Sequence, residues 1–186
     1  MKAWDGISEL YARFIDFHWG IGYFGWQIAT MYCLQGMFLV NINYAVLFVL
    51  LFLLSGWLNH AVFKEWIHDL RPSNGRQFLV TDVIKKGVYG MPSGHAQQTA
   101  FALTIAYLFT GQHLLTSLWL FGLTVAQRYA YRNHTLSQLA AGGAVGVALG
   151  ITAVYVMRYA ESKMVRAEKS AVDGVQHLAN NVTQNM

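Results

Sequence analysis

Charge is scarce in this chain. Only 12% of its 186 residues are Asp, Glu, Lys or Arg, while 55% are hydrophobic. An average soluble domain carries about 25% charged residues, so a water-facing surface is hard to cover here, and the deficit points to a bilayer. Cysteine is nearly absent. Cys33 stands alone in an apolar run, which excludes an intrachain disulfide. No dense basic tract accompanies the net charge of +4, and nucleic acid is therefore a poor partner. The amino end carries Asp5, Glu9 and Asp16 and lacks the basic-then-apolar order of a cleaved signal peptide.

The positions of the charges say more than their number. None falls between Asp16 and Lys64, between Lys86 and Arg128, or between Arg132 and Arg158. A spanning helix needs about 20 mostly apolar residues. The first gap accommodates spans at 20–40 and 43–63, broken at Asn41-Ile42-Asn43. The second accommodates 93–110 and 113–130, hinged at Gly111-Gln112-His113, and the third 135–157. The expected fold is all-α: a polytopic membrane helix bundle of five transmembrane helices, or six with a shallow first span, in a membrane domain over residues 1–160. Ile7, Leu10, Tyr11, Phe14 and Ile15 recur at helical spacing, which predicts an interfacial helix over Met1–His18. Residues 161–186 read as a polar tail, a short helix followed by disorder.

Three polar clusters interrupt the apolar runs: Lys64 with Arg71-Pro72, Pro92-Ser93-Gly94-His95, and Arg128 with His134. Even numbers of crossings separate them, so all three meet at one membrane face. Lys64 and Arg71 are seven apart, close to two helical turns, and two cations on one face suit a phosphate dianion. Pro72 suits a helix end and Pro92 a first helical turn, where Ser93-Gly94 lets backbone N–H groups approach an anion. His95 stands beside that anion and His134 opens the last span. Two imidazoles and three cations around an anion hole can transfer a phosphoryl group: one histidine attacks, the other protonates the leaving oxygen. Taken singly, Lys64 and Arg71 are ordinary interfacial anchors and His134 an ordinary helix cap. His18, His60, His68 and His113 read as interfacial or hydrogen-bonded, and Trp4, Trp19, Trp26, Trp57, Trp66 and Trp119 as belt or packing residues. Only the joint spacing singles out a site.

That spacing resembles the type 2 phosphatidic acid phosphatase superfamily over residues 43–157. The run Lys64 to Arg71-Pro72 matches its first motif and Pro92-Ser93-Gly94-His95 its second. The third reads Gln127-Arg128, then His134, then Gln138. The resemblance implies that Lys64, Arg71, Ser93, Gly94 and Arg128 hold the phosphate oxygens, that His95 is the general acid, and that His134 is the nucleophile of a phosphohistidine mechanism. It implies no metal and no cofactor, because the cations replace one. Gln127 stands where the family usually has Ser, and Gln138 where it has the Asp that orients the nucleophile. A Gln carbonyl can still accept the imidazole N–H but cannot offset an imidazolium. No acidic residue lies between Asp82 and Glu161, which leaves Glu65, Asp69 or Asp82 to reach in.

The run His134-Thr135-Leu136-Ser137-Gln138 is similar to the third motif of dolichyl-diphosphatases, and glucose-6-phosphatases also place Gln there. The implied substrate is a polyprenyl diphosphate or other lipid phosphate. The alternatives are a sugar phosphate, or lipid binding on a weakened phosphatase fold, against which the intact Lys64, Arg71, His95, Arg128 and His134 argue. Arg158, Lys163, Arg166 and Lys169 favour a cytoplasmic carboxyl end and a lumenal or periplasmic site.

Overall fold

The computed structural model describes residues 14–73, 75–76, 78, 87–111 and 113–184. The expected interfacial helix falls mostly outside them. Its last residues belong to α1, helical over 14–23, and Phe24 separates that helix from α2, Gly25–Val40. Asn41 then goes extended, and its side chain accepts the Asn43 N–H at 2.8 Å, which satisfies one open donor at the start of α3, Ile42–Trp57. α3 continues without a break through a π-helical turn, Leu58–Phe63, into α4, Lys64–Ile67. His68 ends that rod in the left-handed region, at φ 54°.

The chain returns through an isolated antiparallel bridge, Leu70 to Tyr89, and enters α5, Gly94–Thr110. Gly111 closes α5 at φ 65°, where a residue without Cβ is favoured, and its N–H reaches Tyr107 O at 2.7 Å. α6 is Leu114–Ala130 and α7 is Leu136–Gln184. The breaks at Asn41 and Gly111 thus lie where the polar interruptions predict them. The tail differs from its expected form: α7 runs unbroken to Gln184. Its Ala, Glu, Lys, Met and Arg residues favour helix, and no proline interrupts them.

α5 is the central element, packed against α2, α3, α6 and α7. Its apolar contacts join Phe101 and Ile105 to Ala29, Cys33 and Met37 of α2, Phe48 of α3, and Ala153 and Met157 of α7. The α5–α7 approach is the closest. A Cβ at Gly142 would lie 2.5 Å from Ser93 O, one at Gly146 would meet Gln97 O, and one at Gly150 would lie 2.9 Å from Thr104 Cβ. These glycines are four apart, so they share one face of α7 and let the two backbones touch.

The outer surface is apolar. Leu39 is 78% exposed and Leu115 82%, with Leu50, Leu53, Leu118 and Tyr155 also turned outward. Ile42–Ile67 and Leu136–Gly174 are long and apolar enough, by length and composition, to cross a membrane.

Two substitutions separate close approach from helix propensity. Gly146→Ala drives a methyl into the Gln97 backbone and should destabilise the fold by about 1–3 kcal/mol. Gly122→Ala meets open space in α6 and should leave stability unchanged or raise it by up to about 1 kcal/mol. Thermal unfolding in detergent reads both, and equal effects would remove the close-contact explanation.

Candidate active site

Four chain segments converge at one end of the bundle. They are the α3–α4 rod with the strand-like segment after it, the start of α5, the end of α6, and the start of α7. Lys64, Arg71, Gly94, His95, Arg128 and His134 line one cavity of about 310 Å³, whose far wall is Trp26, Phe52 and Gly56. Ser93 and Gln138 lie just behind its lining, fully buried.

The π turn sets the direction of Lys64. Its wider winding changes the phase of the rod, so that Asn59, His60 and Lys64 all face the cavity. Asn59 anchors the turn to α5: its Nδ2 donates to Gln97 Oε1 at 2.7 Å and to Pro92 O at 3.2 Å. Gln97 in turn donates to Ser55 O and Oγ at 2.8 and 3.0 Å. Lys64 is thereby buried, with Nζ 3.5 Å from His60 Nδ1.

Arg71 reaches the same cavity by another route than the two helical turns expected from sequence. The helix stops at Ile67, four residues short of it, and Pro72 follows the bridge segment, not a helix. The Leu70–Tyr89 bridge carries Arg71 across the cavity mouth. Its Nε donates to Gly87 O at 3.0 Å, and its Nη1 to Asn133 O at 3.3 Å and His134 Nε2 at 2.9 Å. Pro92 likewise lies ahead of the helix, two residues before Gly94, and not in its first turn. The Ser93 N–H donates to Gln138 O at 3.0 Å, which joins the two helix starts. Ser93 Oγ is buried with no hydrogen-bond partner among the described residues.

A tight turn brings Arg128 and His134 together. Tyr131 N donates to Gln127 O at 3.0 Å, Arg132 takes φ 52°, and Asn133 N donates back to Arg128 O at 3.0 Å. The Arg128 guanidinium lies 5.7 Å from the Tyr23 ring centre, and the same ring stands 5.6 Å from His95. Gln127 is buried against Gly22 of α1 and does not line the cavity.

The His134 tautomer follows from its partners. Arginine has no acceptor, so Nε2 must accept from Arg71. The ring proton then sits on Nδ1 and is donated to Gln138 Oε1 at 3.2 Å. Nε2 carries the ring's lone pair, on the side of Arg71 and the cavity. Burial first, then the positive charges of Arg71 and Arg128, push the imidazole down to about 2; Lys64 adds to this, and the Gln138 hydrogen bond opposes it. The His134 imidazole is therefore neutral around pH 7.

Tyr23, Asn59 and Asp69 join the site beyond the motif residues. Tyr23 reads in sequence as one more aromatic in an apolar run. Asn59 leaves a signal: Ser55 and Asn59 are four apart in an otherwise apolar helix, a polar face that needs a partner. Of the three carboxylates that the sequence leaves to reach in toward His134, Asp69 arrives indirectly, accepting from Gln138 Nε2 at 2.8 Å. Glu65 is exposed, and Asp82 lies outside the described residues. Among the described residues, no group of three His, Cys, Asp or Glu side chains comes together as a metal site.

An apolar-walled helical bundle with a cationic cavity at one end fits the class of membrane phosphatases. The chain belongs to the PAP2 superfamily, whose family model matches residues 44–162. Among solved structures the fold is similar to the crystal structure of the first transmembrane PAP2 type phosphatidylglycerolphosphate phosphatase from Bacillus subtilis. That match has a TM-score of 0.59 at 19% identity and covers 81% of this chain and 78% of that one. No curated protein matches the chain.

The depressed basicity of His134 has a measurable sign. A free histidine titrates near 6.5, so the unfolded chain takes up a proton below that pH while the folded chain does not. His134 should therefore cost stability as pH falls through about 6.5. Its ring resonances should stay flat from about pH 8 to about pH 5. A titration midpoint near the free value would contradict a neutral His134. Saturating vanadate, an anion, should raise the midpoint.

Proposed function

We propose that this protein hydrolyses a lipid phosphate or polyprenyl diphosphate through a phosphohistidine on His134. The observation that carries the reading is the His134 ring itself: Nδ1–H is held by Gln138 while Nε2 opens onto the cavity of Lys64, Arg71 and Arg128. A phosphate entering there takes over the Arg71 guanidinium and leaves Nε2 free to attack. Ser93 Oγ and the open N–H groups at the start of α5 complete the anion hole.

In the first step the Nε2 lone pair forms the N–P bond, the ester P–O bond breaks, and His95, held as imidazolium once the bound phosphate offsets the three cations, gives its proton to the leaving oxygen. In the second, His95 takes a proton from water, whose oxygen attacks phosphorus and releases phosphate from His134. Three fixed cations stabilise the charge on the transferring group, so the reaction runs without a metal.

The far wall of the cavity supports a lipid leaving group. Trp26 and Phe52 stack at 6.0 Å between centres, and Phe52 continues into the apolar contacts of Phe48 and Phe101. The Bacillus structure is named for a phospholipid phosphate, which agrees with that chemistry. The helices α2 to α7 make five crossings if α3 and α4 count as one, with the site lumenal or periplasmic and the carboxyl end cytoplasmic.

His134→Ala should lower phosphate release from a lipid phosphate by at least about 10³-fold, the scale for removing a nucleophile, in protein that stays monodisperse in detergent. Rapid acid quench should trap a phosphohistidine in wild type and none in the variant; turnover that persists in His134→Ala would remove its role. In a second experiment, activity should survive EDTA and yield to vanadate, which adopts the trigonal bipyramid of the transferring phosphoryl group. Loss in chelator that a divalent cation reverses would refute the metal-free mechanism.

A further inference from the structure

The hydrogen-bond chain behind His134 does not end at Gln138. Gln138 Oε1 accepts from His134 Nδ1 and from Thr135 N, both at 3.2 Å. Its Nε2 donates to Asp69 Oδ2 at 2.8 Å and to Leu70 O at 2.9 Å. The amide orientation is thus fixed from both sides, because a flip would set oxygen against two acceptors and N–H against two donors. Packing fixes the amide as well. A Cβ at Gly90 would lie 2.5 Å from Oε1 and 2.7 Å from Nε2, so only glycine lets the amide lie there. Gly90 N also donates to Asp69 O at 2.7 Å, and the adjacent Leu70–Tyr89 bridge holds the segment.

We propose that Asp69 is a positioning residue of the reaction, whose carboxylate acts on His134 through the Gln138 amide. When Nε2 bonds phosphorus, the ring keeps its Nδ1–H and takes on positive charge. Gln138 Oε1 is the acceptor of that proton. A carboxylate on the other end of the amide increases the amide dipole and makes Oε1 a stronger acceptor. The charge that Gln138 lacks is therefore supplied one residue further away, from the first motif of the chain instead of the third. The proposal rests on His134 as nucleophile.

The test is steady-state kcat and KM on one lipid phosphate, with detergent monodispersity as the folding control. Asp69→Asn keeps an acceptor for Gln138 and removes only the charge. Its kcat should fall by about 10- to 100-fold, the worth of a hydrogen bond to a charged group, with KM within about threefold of wild type. Wild-type kcat in Asp69→Asn overturns the proposal. Gln138→Asp removes the amide donor that Asp69 accepts from and sets a second carboxylate toward it, and should lose at least about 100-fold. Asp69→Asn/Gln138→Asp moves the single charge to the ring side and should recover at least about tenfold over Gln138→Asp. A double variant no better than Gln138→Asp overturns the exchange. If Asp69→Asn does not fold, Asp69→Glu is read against Asp69→Ala: higher kcat in the glutamate variant supports a role for charge, and equal kcat rejects it. Wild type that traps no phosphohistidine overturns this proposal together with the nucleophile role. Trapped phosphohistidine with full turnover in Asp69→Asn overturns the Asp69 role alone.

Discussion

Backbone contact between α5 and α7 is the constraint on which the rest of the structure depends. Gly142, Gly146 and Gly150 remove the side chains that would keep the two helices apart. Their starts then come close enough for Ser93 N–H to bond the Gln138 carbonyl. That single bond ties the anion-binding start of one helix to the turn that carries His134. A bundle spaced by leucines would hold the same motif residues too far apart for one phosphate to meet both histidines.

The site carries an electrostatic cost that its architecture is shaped to bear. Lys64 and Arg128 are nearly inaccessible, Arg71 spans the mouth, and no acidic side chain among the described residues lines the cavity. Burying like charges together is unfavourable unless an opposite charge joins them. An anionic substrate supplies it, so the same field that pushes the His134 imidazole down also draws in the phosphate. Rigid partners hold the cations against their mutual repulsion. The Ser55–Gln97–Asn59 network fixes the π turn below Lys64, and Gly87 and Asn133 carbonyls hold the Arg71 guanidinium. The Asp69 carboxylate is kept outside the cavity, behind the Gln138 amide, where it does not compete with an anion for the cations.

The amino-acid sequence by itself determined the helices and their breaks. Long apolar runs without charge favour helix wherever lipid surrounds them, and Asn41 and Gly111 interrupt those runs as polar or left-handed residues must. It also brought Lys64, Arg71, His95, Arg128 and His134 to one end, because the parity of apolar runs between them is a property of order alone. Local spacing was less informative. Seven residues suggest two helical turns between Lys64 and Arg71, yet His68 turns left-handed and Arg71 arrives on a bridge segment. The polar composition of the tail suggested disorder, while its helix-favouring residues extend α7 to Gln184. Only the tertiary structure decided what stands behind His134. Asp69 and Gln138 are separated by most of the site's sequence, and nothing in either neighbourhood specifies the other. They meet because the Leu70–Tyr89 bridge folds one motif over the start of α7, and Gly90 leaves the amide room to lie between carboxylate and ring. Hydrogen-bond partners across such distances depend on backbone positions to within an ångström, and those positions are set by packing, which a linear pattern of residue types does not encode.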